Sequence, residues 1–157
     1  MSASAPTVKK ALRDSGSKSV KFEEATMSSS VVCDKGHGRG LCRDAAIQIS
    51  KKGKLGRCPQ PGCGAQLRYL VKQQYPNVEE EYEYELVKVV RLKSDDQAED
   101  DGFDPMLFKL VRRKSGESWL WPFYWGLNKN EKWHVGQFPP ILRHTEFRKM
   151  IDEMEQP

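Results

Sequence analysis

The stretch that decides how this chain folds runs Cys33-Asp34-Lys35-Gly36-His37, then Cys42, then Cys58-Pro59-Gln60-Pro61-Gly62-Cys63-Gly64. A zinc ion takes four soft or borderline donors in a tetrahedron, and two short knuckles in sequence deliver them two at a time. Glycines at 36, 62 and 64 flank the candidate ligands, where the backbone has to curl tightly around a metal. Five residues compete for four positions: Cys33, His37, Cys42, Cys58 and Cys63. The expected set is Cys33, His37, Cys58 and Cys63. Cys42 begins a helical stretch, where a small thiol packs inside a module as readily as it ligates, and it is the substitute ligand if His37 is a solvent-facing loop residue. Unrelated free thiols are the plain alternative, but they have no reason to fall into two glycine-flanked pairs. A hydrolytic zinc keeps an open water position and a nearby Glu base. The window from 33 to 63 contains no Glu, so the zinc is read as structural.

Around this cluster the chain divides by composition. Residues 1 to 28 are rich in Ser, Ala and Lys without an apolar period and are read as a disordered tail. Residues 29 to 75 form the zinc-binding module, with a helical stretch from Arg43 to Ser50 that turns Ala46, Ile47 and Ile49 inward, followed by a turn at Gly53 and Gly56. Residues 76 to 157 read as a small α+β domain opening after the Pro76-Asn77 break. Net charge follows the same division: +2, +7 and −5 over the three segments. In the last of them Tyr82, Tyr84, Leu86, Val90 and Leu92 alternate along a strand interrupted at Lys88. The acidic segment 94–104 is expected to be a solvated loop, followed by strands over Met106 to Arg112, Trp119 to Leu127 and Lys132 to Phe138. Asn128 to Glu131 supply the turn of the last hairpin. A terminal helix begins near Thr145, a plausible N-cap, and aligns Phe147, Met150, Ile151 and Met154 on one face. The predicted fold class is therefore α+β: a small single-zinc module, then a small antiparallel sheet with a C-terminal helix.

The order Gly36-His37, a helix carrying Asp44-Ala45-Ala46-Ile47, a basic turn, then Cys58-Pro59-x-x-Gly62-Cys63 resembles the second half of the RING family. It is most similar to the SP-RING (U-box-related) form, which retains one zinc site of the Cys-His-Cys-Cys type. Over residues 31–70 the resemblance implies a scaffold that docks a ubiquitin- or SUMO-conjugating enzyme without a nucleophile of its own. Pro59 and the apolar pair Val31 and Val32 would then lie near the docking face. The knuckle ending Cys63-Gly64-Ala65-Gln66-Leu67 is also similar to zinc-ribbon modules, which serve many proteins as binding elements. Both readings imply a fold of RING-like or ribbon-like type over this segment.

A second functional reading comes from charge. Lys51, Lys52, Lys54 and Arg57, with Arg68 and Lys72 beyond them, make a basic surface over 51–72 that could neutralise phosphates as a nucleic-acid-associated protein would. A solvated turn, or pairing with the acidic C-terminal segment, is the plainer reading, since no aromatic residues interleave with these charges. Trp119, Trp121, Phe123 and Trp125 alternate and are expected to be core; any exposed part would be a partner surface, and Pro122 marks an edge strand or bulge. His134 and His144 have no chemical partner at a telling spacing. No catalytic residues stand out. Nothing reaches the length of a membrane span or forms a secretory h-region, so an intracellular location, cytoplasmic or nuclear, is expected.

Overall fold

A computed structural model describes residues 26–38, 42–136 and 142–157. The expectation of a disordered tail over 1–28 falls almost wholly outside them. Its last residues belong to the first strand, β1 (Thr26–Cys33). The other elements are α1 (Cys42–Lys52), β2 (Leu67–Gln74), β3 (Glu81–Arg91), α2 (Asp95–Asp101), β4 (Phe103–Arg112), β5 (Ser118–Leu127), β6 (Trp133–Val135) and α3 (His144–Glu155). Six strands form one antiparallel sheet in the order β1-β2-β3-β4-β5-β6, so each strand pairs with its neighbours in the chain. This is the expected α+β class with a C-terminal helix. The compositional break at Pro76-Asn77 is the turn between β2 and β3, which pair directly from Leu70↔Glu85 to Gln74↔Glu81. Asn77 there takes a left-handed φ of 63°.

Alternation along the strands supplies one apolar set to each face of the sheet. On one face Val31, Tyr69, Val71, Tyr84, Leu86, Val89, Met106, Phe108, Phe123 and Trp125 pack against Ala45, Ala46 and Ile49 of α1. On the other, Val90 and Leu107 meet Met150 and Met154 of α3, with Leu92 and Ile151 alongside. The helix face expected from the spacing of Met150, Ile151 and Met154 is the one that packs, but Phe147 is 39% exposed.

Four local expectations change. The interruption in β3 is a bulge: Leu86 pairs Leu110 and Lys88 pairs Lys109, leaving Val87 as the extra residue. The bulge shifts the phase by one, so Val90 and Leu92 face α3 while Tyr82, Tyr84 and Leu86 face α1. The segment 94–104 is not a loop. Ser94 Oγ accepts from the Gln97 amide at 3.3 Å, Gln97 Oε1 accepts from the Ser94 amide at 3.1 Å, and Gly102 closes the last turn at φ 63°, so a short helix forms. Asp104, expected to be solvated, is fully buried in β4. The N-cap of α3 is Arg143 rather than Thr145, with Glu146 Oε1 accepting from the Arg143 amide at 3.0 Å. The fourth strand is shorter than 132–138, and residues 137–141 lie outside the described residues. Its hairpin turn is as expected: Asn128 Oδ1 accepts from the amides of Asn130 and Lys132.

Candidate metal centre

β1 ends on Cys33, and the chain reverses at once. The Gly36 amide donates to the Cys33 carbonyl at 2.9 Å and the Cys33 amide to the His37 carbonyl at 3.0 Å, with Gly36 at φ 88°, where an L side chain would be strained. This turn returns His37 beside Cys33, and a bridge between Val32 and Gly38 secures it. The second knuckle is a small hairpin. Arg57 bridges Gln66, the Cys58 amide donates to the Ala65 carbonyl at 2.7 Å, and the Cys63 amide to the Gln60 carbonyl at 2.9 Å. Gln66 Nε2 reaches the carbonyls of Leu55 and Gly56, which fixes the approach of the loop.

Sheet register then brings the two knuckles together. Cys33 pairs Leu67, the residue only a few places beyond Cys63. Arg68 reinforces the junction, donating from Nε to Asp34 Oδ1 at 2.9 Å and from Nη1 to both Glu85 oxygens at 3.0 Å. As a result one ligand atom from each of Cys33, His37, Cys58 and Cys63 lies within 4.8 Å of the others, a group that could hold a metal ion. Cys33 Sγ is 3.4 Å from His37 Nδ1 and 3.8 Å from Cys63 Sγ, and Cys58 Sγ is 3.6 Å from His37 Nδ1. Cys33 and Cys58 are buried and Cys63 and His37 half-buried.

Among the competing donors, the geometry gathers His37 and leaves out Cys42. The Cys42 thiol is partly buried against the α1 core, and burial raises its pKa despite a hydrogen bond with Tyr69. Cys33 behaves in the opposite way. Burial disfavours its thiolate, but the backbone amides of His37 and Lys35 and the thiols of Cys63 and Cys58 outweigh that and bring it down to about 6. For Cys63 the Ala65 amide favours the thiolate, yet burial and the neighbouring Cys58 and Cys33 sulfurs prevail and the pKa rises. A cation at the centre of the group would favour the thiolate that the neighbouring sulfurs disfavour at Cys63.

The remaining candidate residues separate by exposure. Val31 is 6% exposed and belongs to the core, because alternation in β1 turns it toward α1. Val32, on the other face, is half-buried and Pro59 is exposed. Of the basic residues, Lys51 pairs with Asp95, Lys72 lies 3.8 Å from Glu81 and 3.9 Å from Glu83, and Arg57 donates to the Gly64 carbonyl at 3.1 Å. Lys52 and Lys54 are exposed. Lys51, Arg68 and Lys72 thus pair with acids of the later segment. In β5, Phe123 and Trp125 are buried as expected, while Trp119 is 45% exposed. Sequence reasoning did not find the buried ion cluster in which Asp104 accepts from Arg43 and Arg91.

Among the described residues no helix is long and apolar enough to cross a membrane. No protein-family model, no curated protein and no solved structure matches the chain.

Proposed function

We propose that Cys33, His37, Cys58 and Cys63 hold a structural zinc ion, and that the protein is an interaction module of RING-like type whose metal-bound knuckle docks another protein. The observation that carries the metal is the spacing of the donors. Around a tetrahedral zinc with Zn–S of about 2.3 Å and Zn–N of about 2.0–2.1 Å, sulfurs stand about 3.8 Å apart and sulfur and nitrogen about 3.6 Å. Three of the six separations are 3.8, 3.4 and 3.6 Å, and all of them fall within 4.8 Å. Three thiols and an imidazole supply the full set of four donors that structural zinc sites use, and thiolates favour zinc over calcium or magnesium.

The docking role is supported by the exposure of Pro59 and its neighbours on the knuckle and by the resemblance of Cys58-Pro59-x-x-Gly62-Cys63 to the SP-RING motif. On this reading the protein is a component of ubiquitin or SUMO transfer, or a docking adaptor, without a nucleophile of its own. The test is binding of purified, zinc-loaded protein to ubiquitin- and SUMO-conjugating enzymes, and acceleration of discharge from their thioester forms. Loss of binding on Pro59→Ala, with zinc retained, is expected. Failure to bind or stimulate any of them defeats the ligase reading, and binding to nucleic acid that weakens steeply with salt would point to Lys52 and Lys54 instead.

A further inference from the structure

Solvent reaches the four clustered donors unequally. Cys33 and Cys58 are 3% and 4% exposed, whereas Cys63 is only half-buried. Cys63 also stands on an open turn between Gly62 and Gly64, at φ 77° and 62°, with no atom beyond the adjacent residues within 4 Å of where a Cβ would be at either glycine. Its sulfur lies 3.8 Å from that of Cys33, although the two are 30 residues apart in the chain. The fourth cysteine, Cys42, is outside the group.

We propose that Cys63 is an oxidation site: its sulfur attacks hydrogen peroxide, and Cys33 captures the product as a Cys33–Cys63 disulfide, discharging the metal. This rests on the metal-binding reading above. In the first step the Cys63 thiolate forms an S–O bond as the peroxide O–O bond breaks, giving a sulfenic acid and, after protonation, water. In the second, the Cys33 thiolate forms the S–S bond, the S–O bond breaks, and the departing hydroxide takes a proton to become water. Two thiolates together lose two electrons and the peroxide gains them. Exposure selects Cys63 as the sulfur that attacks the peroxide, and Cys33, with its sulfur 3.8 Å away, is placed to resolve it.

The consequence is an exchange of fastenings. Removing two thiolates leaves Cys58 and His37, half the donor set that a structural zinc requires. The new covalent bond joins the same two places, the end of β1 and the 58–64 knuckle. The oxidised protein therefore keeps the knuckle near β1 while releasing its metal.

The experiment uses the full chain. Metal content is measured first by elemental mass spectrometry; hydrogen peroxide is then added in stepwise equivalents while a chromophoric chelator reports release. Remaining thiols are alkylated and the protein is mapped by non-reducing peptide mass spectrometry. Metal release in step with peroxide consumed is expected, with a Cys33–Cys63 crosslink, an alkylated Cys42, and reversal by a dithiol with zinc. Cys42→Ala should behave as the wild type. Retention of metal, or a crosslink made by Cys58 or Cys42, would overturn the proposal. Absence of metal before any peroxide is added would instead defeat the metal reading, and mapping of that metal-free protein would still decide whether Cys33 and Cys63 join.

Discussion

At the scale of single residues, Asp104 carries the largest concentration of buried charge. It is fully buried and accepts from Arg43 Nε at 3.2 Å and Nη2 at 3.1 Å, and from Arg91 Nη2 at 2.9 Å. Arg43 also stacks on Trp133, 3.7 Å from its ring centre, so one carboxylate links α1, β3, β4 and the β6 hairpin. Removing one partner of such a group strands the others in low dielectric, at a cost of roughly 3–5 kcal/mol. Asp104→Asn is expected to destabilise the protein by an amount of that order in urea unfolding, and a change under about 1 kcal/mol would refute the role given to Asp104. Its place was not legible in sequence. Asp104 closes a run of acids, and its partners Arg43, 61 positions away, and Arg91 lie outside that run. The four clustered donors were legible because their signal is local: each knuckle brings its donors and its glycines within a few residues.

At the scale of elements, α2 shows how a local signal was present yet overruled. Ser94 and Gln97 have the spacing of a capping box and Gly102 that of a C-cap, but the density of acids suggested a loop. Ser94→Ala should cost about 1 kcal/mol, visible as a lowered urea midpoint with unchanged slope. Asp95, on the first turn, is held down to about 2 by hydrogen bonds from Arg91 and then Lys51, which tie α2 to β3 and α1. Its pKa is lower in the folded chain than the usual 3.8, so its contribution is full above pH 4 and is lost as pH falls toward 2. Asp95 is half exposed, so solvent keeps this effect small. Asp95→Asn is expected to flatten part of the acid limb of stability between pH 4 and 2; an unaltered acid limb would show that the tie contributes nothing. The bulge at Val87 was visible only as an interruption, since a phase shift is defined by the partner strand.

At the scale of the molecule, the two compositional segments are joined by one sheet, and the acidic one supplies carboxylates to the basic one through Arg68–Glu85 and Lys51–Asp95. Composition located the change in charge at Pro76 but could not show that β2 and β3 pair across it. The Cys/His donor cluster lies at the end of β1, one edge of the sheet, while the aromatic cluster of Phe108, Phe123 and Trp125 lies at β4 and β5. Stripping the metal should therefore loosen one end of the molecule first. Amide hydrogen exchange with and without chelator is expected to speed up over β1 and residues 55–67 while β4 and β5 stay protected; uniform acceleration would contradict that division. The most direct test of the account is the zinc content of the purified chain and of His37→Ala, Cys42→Ala and Cys58→Ala by elemental mass spectrometry. A single zinc per chain is expected in the wild type and Cys42→Ala, with its loss from the other two; a wild type without metal, or loss with Cys42→Ala and retention with His37→Ala, would contradict the proposed ligand set.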